Sequence, residues 1–498
     1  MSDQLPAIIV VLPLVASFFI FFSSWWMKRA AFPLAVGALI CCVLLSIGIL
    51  KTVISAGTIQ YWLGGWEPPW GIEYRVDHFN AIMLVLISGL SMLVAIYSKK
   101  LVERELPGKT ALFWSLFILL ITGLLGICIT GDLFNLFVML EVASLTGYAL
   151  IAIGEKRAVY ASFRYVVIGT MGASFYLLGV GYLYITTGSL NMANLSQLLP
   201  QLYQSKTILA AFAFILIGLS IKMALFPLHG WLPDAYTYAP SAVSAAVAPL
   251  MTKVMAYVVI RIMFTVFKPD FPVSVIRVTD LMVWFGTLAI LFGAVMALSQ
   301  TDFKRMLCYV IIAEIGYIIG GIGVANTIAL KGAIFHIVND AMMVACLFLV
   351  AGQVVYKTNG HRIDDFKGIF KTMPITAAVF TVGALAVIGV PPTCGFFSKW
   401  YLLLGGIKAG RWAFVAALLV STLINVALFF RIFDKGLYSH AQQDDRYDKG
   451  TGDASHSPEA PLSMLMPAVA LALAILLVGI FNQVIMNKVI RFAVPAGL

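Results

Sequence analysis

Fourteen apolar runs divide the 498-residue sequence, and they constrain its fold more than any other feature. A helix rises 1.5 Å per residue, so a run of about 20 apolar residues matches the hydrocarbon core of a bilayer. Only 11% of the residues are charged, against about 25% in soluble domains, which excludes a large soluble enzyme. We therefore predict an all-α membrane protein with about 14 transmembrane helices. The runs are 6–27, 31–54, 78–97, 111–130, 132–153, 161–186, 207–228, 241–266, 277–299, 305–324, 327–356, 373–404, 411–434 and 463–486.

Lysine and arginine are unequally distributed between alternate loops. If the N-terminus lies outside, the cytoplasmic loops hold 18 of these residues, Lys304 and Arg305 among them, and the outer segments hold 9. Positive residues collect on the cytoplasmic side, so we expect both termini on the outer side of a bacterial cell membrane. Residues 189–204 are expected to form a short helix at the outer interface, and the polar segment 441–461 a flexible cytoplasmic connector.

The sequence lacks the motifs of cofactor and metal chemistry. None of its six cysteines belongs to a Cys-x-x-Cys pair, so no zinc site, iron–sulfur cluster or disulfide framework is predicted. There is no glycine-rich phosphate loop and no cluster of metal ligands. The net charge of +10 reflects the distribution between membrane sides and does not indicate nucleic acid. We expect no cofactor and no redox chemistry in this chain.

Several ionisable residues lie inside the apolar runs. A charge at the bilayer centre costs about 2.5–3.5 kcal/mol on insertion scales, so these side chains are expected to face one another or internal water. His336 and Asp340 are four residues apart and share one helical face. We interpret the group as a proton track of alternating charge; the alternative is a set of structural ion pairs that lock helices together. The residues are Glu141, Lys222, Lys253, Glu314, His336, Asp340 and Lys399.

Two of the lysine-bearing runs also contain proline, which breaks a helix because it removes a backbone donor. Pro227 follows Lys222, and Pro391 and Pro392 precede Lys399. Broken membrane helices occur where they line a cavity. These two are five spans apart, and an odd repeat length predicts two inverted five-helix repeats, each with one broken helix. The expected segments are the N-terminal helices 1–110, the repeats 111–266 and 277–434, a cytoplasmic loop 435–462 and a C-terminal helix 463–498.

The segment FPLHGWLPDAYTYAPSAVSAAVAPLMTKVMAYVVIR resembles the signature of the antiporter-like membrane subunits, which occur in respiratory complex I, membrane-bound hydrogenases and Mrp-type antiporters. ALSQTDFKRMLCYVIIAEIGY resembles the junction between their ninth and tenth helices. GDLFNLFVMLEVASLTGYALIA and FHIVNDAMMVACLFL are most similar to the D-type subunit of the Mrp antiporters. The resemblance implies that Glu141 lies beside Lys222, and that these two residues, Lys253, His336 and Lys399 carry protons.

The chain departs from the family pattern at two places. Asp340 and Val344 stand where complex I relatives often have a histidine and a lysine, and Glu314 stands where relatives commonly have histidine or another polar residue. We therefore hypothesise that Glu314 and Asp340 favour a sodium ion over a bare proton. His229 and Asp234 belong to the signature, and both a proton-uptake role and a helix-capping role stay open for them.

The leading prediction for function is an ion-translocating subunit of a hetero-oligomeric Mrp-type Na⁺/H⁺ antiporter, driven by the proton-motive force. Its expected partners are the other subunits of the complex, the lipid bilayer, H⁺ and Na⁺. The first alternative is a proton-pumping subunit of a redox complex, against which Asp340 and Val344 argue. A non-conducting scaffold and a single-chain solute permease are the two others.

Overall fold

A computed structural model of the protein describes residues 4–23, 29–438, 459–495 and 497. Among these residues, thirteen helices are long and apolar enough to cross a membrane, which confirms the all-α membrane class. In chain order the helices are α1 (Leu5–Ser23), α2 (Ala31–Ala56), α3 (His78–Glu105), α4 (Thr110–Ile129), α5 (Leu133–Ala152), α6 (Arg157–Thr187), α7 (Met192–Leu198), α8 (Lys206–Met223), α9 (Leu232–Tyr238), α10 (Ser241–Val247), α11 (Met251–Ile260), α12 (Val278–Leu298), α13 (Phe303–Val324), α14 (Thr327–Thr358), α15 (Ile369–Thr372), α16 (Pro374–Ile388), α17 (Cys394–Lys408), α18 (Trp412–Tyr438), α19 (Leu462–Ile480), α20 (Asn482–Ile485) and α21 (Arg491–Ala493).

The predicted span 373–404 is a broken helix that provides the fourteenth crossing. It consists of α16 and α17, each 15 residues long. Gly389 ends α16 with a φ of 90°, a conformation that favours glycine. Pro391 and Pro392 have no N–H to continue the helical ladder, so the chain starts a new helix at Cys394.

The second broken helix lies in the predicted span 207–228. Helix α8 ends at Met223, where Ala224 adopts a left-handed φ of 59°, and helical structure resumes only at Leu232 in α9. Pro227 lies in this break. The next span is also interrupted, between α10 and α11, and it ends in a π-helical turn, Arg261–Val266.

A repeated feature relates the two halves of the bundle. Asp132 caps α5 by accepting a hydrogen bond from the backbone N–H of Asn135 at 2.7 Å, and Asp302 caps α13 through the backbone N–H of Arg305 at 2.9 Å. Asp132 also forms a single β-bridge with the loop after α6, and Asp302 one with the loop after α14. Because five spans separate these junctions, they lie at opposite ends of the bundle, as inverted repeats require.

Two connecting segments contain secondary structure. Helix α7 lies within the predicted interfacial helix 189–204. Between α2 and α3, the strands β1 (Ile59–Trp62) and β2 (Glu73–Val76) pair in antiparallel register, Ile59 opposite Val76, a hairpin that the sequence analysis did not predict. The predicted connector 441–461 lies outside the described residues except for its last three.

The centre of the bundle is formed by helices that expose almost nothing to the surroundings. Helices α10 and α11 are buried along their length, and α13 and α14 nearly so. Helices α1 and α6, by contrast, present large apolar side chains such as Phe18 and Phe163 outward. The ionisable residues of the central helices are therefore shielded from lipid by the surrounding spans.

Candidate functional site: a chain of buried charges

The first cluster of the site surrounds Lys222, in the last turn of α8. Its ammonium lies 3.3 Å from the carboxylate of Glu141 on α5. It also donates to the hydroxyls of Ser144 at 2.8 Å and Tyr148 at 3.3 Å. The Lys222 side chain is 2% exposed and that of Glu141 is 25% exposed. The cluster thus joins a buried base to a carboxylate that keeps some access to the surroundings.

The Tyr148 hydroxyl occupies space that is left free because Gly169 on α6 has no side chain. A Cβ added at Gly169 would overlap the Tyr148 oxygen, at a separation closer than any real contact. Only glycine at this position lets the hydroxyl reach Lys222. Ser144 and Tyr148 follow Glu141 by three and seven residues on one helical face, a spacing that the sequence analysis overlooked.

Replacing Gly169 by alanine should displace the Tyr148 hydroxyl and lower proton transport at least about tenfold, because a hydrogen bond to a charged group contributes about 1.5–3 kcal/mol. Alanine favours a helix over glycine, so α6 should form normally. The control is Gly181→Ala on the same helix, where an added Cβ meets nothing within 4 Å. Transport per assembled complex, measured with a pH-sensitive dye in vesicles, checks the prediction; equal rates for the two variants would contradict it.

The second cluster is an ion pair between the two halves of the bundle. The ammonium of Lys253 on α11 lies 3.0 Å from the carboxylate of Asp340 on α14, and both side chains are 0% exposed. The sequence predicts both residues to lie inside the membrane but gives no sign that they pair. A charge buried this deeply is tolerated when a partner compensates it. The pair makes a direct electrostatic link from the first repeat to the second.

The third cluster is centred on the Glu314 carboxylate of α13. One oxygen lies 2.7 Å from His336 Nε2, and the other lies 3.4 Å from the ammonium of Lys399 on α17. The second ring nitrogen of His336 lies 2.9 Å from the Ser398 hydroxyl, and the Lys399 ammonium lies 4.6 Å from the centre of the Tyr317 ring. Glu314 is therefore shared between two proton-binding side chains.

Both helix breaks leave carbonyl groups that side chains satisfy. The carbonyl of Ile221, near the end of α8, accepts a hydrogen bond from the Trp231 indole at 2.9 Å. The carbonyl of Val387, near the end of α16, accepts one from the Lys399 ammonium. In a membrane each freed carbonyl needs such a donor. The second break thereby fixes Lys399 beside Glu314.

The sodium hypothesis named Glu314 and Asp340 as candidate ligands. The part of the chain that the structure describes has no group of three or more His, Cys, Asp or Glu side chains arranged to hold a metal ion. Both oxygens of Glu314 are engaged by His336 and Lys399, and Asp340 faces Lys253. A sodium ion at either carboxylate would have to replace an ammonium or imidazole group.

A further group of ion pairs lies at one end of the bundle, away from the three buried charge clusters. Asp234 on α9 lies 2.6 Å from Arg164 on α6 and 3.4 Å from Arg305 on α13. This end of the bundle, which we call the Asp234 end, thus has a carboxylate shared between the two halves. Lys304 precedes Arg305 there, and its side chain is buried at 5% exposure. The prediction of Lys304 as a loop residue is therefore wrong, because α13 starts at Phe303 and packs it against the α9–α10 junction.

Arg261, on the opposite side of the bundle, has a structural partner. Its guanidinium binds both carboxylate oxygens of Asp77, at 2.6 and 2.9 Å. Burial raises the pKa of Asp77, but the guanidinium and two backbone N–H donors outweigh burial and hold that pKa at about 2. Asp132 serves as a helix cap, and the Nδ1 atom of His229 is buried without a hydrogen-bond partner among the described residues.

Comparison with known proteins agrees with this architecture. The profile of the family described as NADH:quinone oxidoreductase/Mrp antiporter, transmembrane, matches residues 130–425. The chain belongs to this family. The matched part of the family fold includes all three charge clusters. It begins just before α5 and ends within α18.

The relatives of this chain are named as parts of different membrane complexes. The chain is 43% identical to the N-type subunit of the NADH-quinone oxidoreductase of Desulforudis audaxviator, over 99% of both chains. It is 30% identical to the D-type subunit of the Na⁺/H⁺ antiporter of Alkalihalophilus pseudofirmus, over 97% of this chain and 96% of the relative. Among solved structures, a chain of an archaeal membrane-bound sulfane sulfur reductase superposes with a TM-score of 0.89 at 30% identity, covering 98% of this chain and 97% of that one. These names describe subunits or complexes, in agreement with the predicted partner subunits.

Proposed function

We propose that this chain carries protons across the membrane as a subunit of a hetero-oligomeric, antiporter-like complex. One observation carries the proposal: acidic and basic side chains alternate through an otherwise apolar core. Glu141 meets Lys222, Lys253 meets Asp340, and Glu314 lies between His336 and Lys399. His336 and Asp340, one turn apart on α14, connect the second and third clusters.

Proton movement would occur by switching of these pairs. A carboxylate beside a lysine stabilises the ammonium, and in a medium of low dielectric constant this attraction is many times stronger than in water. Protonation of Glu141 would remove the attraction on Lys222 and free its ammonium to lose a proton. The Lys253–Asp340 pair would respond to the changed charge because both of its side chains are fully buried and little solvent screens them. The third cluster would complete the transfer at Lys399.

Two energy sources fit this arrangement. The similarity to the D-type antiporter relatives favours exchange with sodium. Such exchange is driven by the proton-motive force, which contributes about 2.3 kcal/mol per charge per 100 mV. The 43% identity to the N-type oxidoreductase relative supports a redox complex instead. The bacterial cell membrane, the outward termini and a sodium site near Glu314 and Asp340 stay predictions of the sequence.

Replacing Lys222 by methionine should lower proton transport at least about tenfold, because the ammonium contacts with Glu141, Ser144 and Tyr148 are lost. The assay uses inverted vesicles from an antiporter-deficient host that expresses the complete complex. Sodium-dependent proton exchange would identify the antiporter, and proton pumping that needs an electron donor would identify the redox complex. The control is Lys206→Met, at the exposed start of α8. Normal transport by an assembled Lys222→Met complex would refute the proposal and favour the scaffold.

The sodium hypothesis has its own test within the same assay. If the complex exchanges sodium for protons, Glu314→Gln should change the sodium concentration that gives half-maximal exchange. An unchanged sodium dependence, at whatever rate remains, would remove Glu314 from the sodium path.

A further inference from the structure

A half-buried acid and a buried base flank one proline at the Asp234 end. The Lys304 ammonium donates to the carbonyl of Ala239 at 2.6 Å, and the Glu105 carboxylate of α3 accepts from the backbone N–H of Ser241 at 2.7 Å. Pro240 lies between these two backbone groups, at the start of α10. Glu105 and Lys304 therefore bind backbone groups on the two sides of the same proline. An ammonium has three donors, and within the described part of the chain Lys304 uses one of them, for Ala239, so it can bind further groups.

Two serine hydroxyls continue from Glu105 into the membrane along α3. Ser98 and Ser91 precede Glu105 by seven and fourteen residues, so they lie on nearly the same helical face. They are 0% and 1% exposed, and neither hydroxyl has a hydrogen-bond partner among the described residues. Ser88, on a neighbouring face of α3, instead bonds Ser46 at 2.9 Å. Buried hydroxyls without a protein partner are satisfied by internal water.

The two serines lead to the depth of the central ion pair. At 1.5 Å per residue, Ser91 lies about 21 Å along α3 from Glu105, and Lys253 lies about 18 Å from Ser241 along the α10–α11 span. Glu105 and Ser241 are in contact, so Ser91 and Lys253 lie at similar depths. Helix α3 packs against both α10 and α14, and α14 carries Asp340. Ser98 and Ser91 lie near the face of α3 that carries Glu105, and Glu105 contacts the start of α10. We call this line along α3, from Glu105 to the depth of Lys253, the seam.

We propose that Lys304 and Glu105 form a second proton-access site and that water bound by Ser98 and Ser91 connects it to the Lys253–Asp340 pair. This inference rests on the proposed function and adds a branch that supplies the Lys253–Asp340 pair; each transport cycle requires this branch as well as the Lys222 cluster. A proton from the Asp234 end binds neutral Lys304, moves from that ammonium to a water molecule, and passes along the hydroxyls to Lys253 after Lys253 has given its own proton to the Asp340 carboxylate. The charged and titratable groups that face Lys304 are Glu105, Asp302 and Cys308.

Lys304→Arg separates proton transfer from mechanical support. Arginine keeps the positive charge and a donor for Ala239, but its guanidinium does not release a proton. We expect this variant to assemble and to transport protons at least about tenfold more slowly. Lys304→His should recover part of the rate with a pH optimum below that of the unmodified complex. The control is Lys100→Arg, at an exposed ion pair with Glu103. A normal rate and pH profile for Lys304→Arg would show that Lys304 has only a structural role, and it would overturn the proposal.

Ser98→Val tests the same branch without changing a charge. Valine removes the hydroxyl and adds apolar bulk. Transport per assembled complex should therefore fall several-fold, because the proton route loses one hydrogen-bonding group. The matched control is Ser88→Val, equally buried on α3, which loses the bond to Ser46 but lies outside the seam. Equal rates per complex for Ser98→Val and the unmodified chain would overturn the branch. If Lys222→Met also transports normally, the proposed function itself fails; if Lys222→Met is inactive, only the branch fails.

Discussion

Replacing Glu314 by glutamine should lower proton transport at least about 100-fold, because breaking a buried pair costs about 3–5 kcal/mol and each 1.4 kcal/mol in a barrier is a factor of ten. Glutamine has nearly the same shape, so the loss would come from charge. Glu314 is 0% exposed and both of its oxygens are engaged, one by His336 and one by Lys399. Without the carboxylate, both the Lys399 ammonium and the His336 ring lose their acidic partner in the core.

The measurement is the initial rate of dye-reported proton transport per assembled complex in vesicles. Glu103→Gln serves as a control for the loss of one carboxylate, because Glu103 is half-exposed at the ion pair with Lys100. Glu314→Asp keeps the charge and should retain part of the rate. If assembled Glu314→Gln and Glu103→Gln complexes transport protons at the same rate, the third cluster has only a structural role.

Substitutions at Lys253 and Asp340 should separate stability from transport. Lys253→Met leaves the Asp340 carboxylate unpaired at 0% exposure, so the variant should lose about 3–5 kcal/mol of stability. Adding Asp340→Leu removes the unpaired charge. Since apolar replacements of buried pairs are often neutral, the double variant should recover most of the stability. It should transport no protons between the halves, because no titratable group remains there.

Thermal unfolding of the purified complex and vesicle transport provide the two readouts. The control pair is Arg411 and Asp280, an ion pair whose side chains are 38% and 46% exposed. Exposed pairs contribute about 0–1 kcal/mol, so Arg411→Met with Asp280→Leu should change neither readout appreciably. If the double variant at Lys253 and Asp340 transports protons normally, this pair is a structural lock and the track must pass elsewhere.

Helix breaks and buried charges were both predictable from local sequence. Pro227, Pro391 and Pro392 lack the backbone donor that a helix requires, and the structure has breaks at both places. The hairpin between α2 and α3 was missed because its strands are only four residues each and alternate weakly between buried and exposed positions. The burial of Lys304 was missed because the local sequence does not show whether neighbouring helices cover the first turn of α13.

Partner choice within the site was only partly predictable. The adjacency of Glu141 and Lys222 came from resemblance, and the structure places them 3.3 Å apart. The pairing of Lys253 with Asp340 had no local signal, since the two residues are 87 positions apart and lie in different repeats. The gap at Gly169 that admits the Tyr148 hydroxyl depends on how α5 packs against α6.

The sequence by itself determined that this protein crosses a membrane about 14 times, that two lysine-bearing helices break, and that its interior holds charges of both signs. In the hydrocarbon core of a bilayer each of these features follows from local sequence. The length of an apolar run determines a crossing, the missing N–H of a proline determines a break, and the cost of an isolated charge requires a partner. Only the tertiary structure decided which charge meets which, that Glu314 is shared, and that Lys304 lies inside. The helical period gives the face on which a side chain lies, but the group it contacts is set by the packing of helices that are distant in the chain.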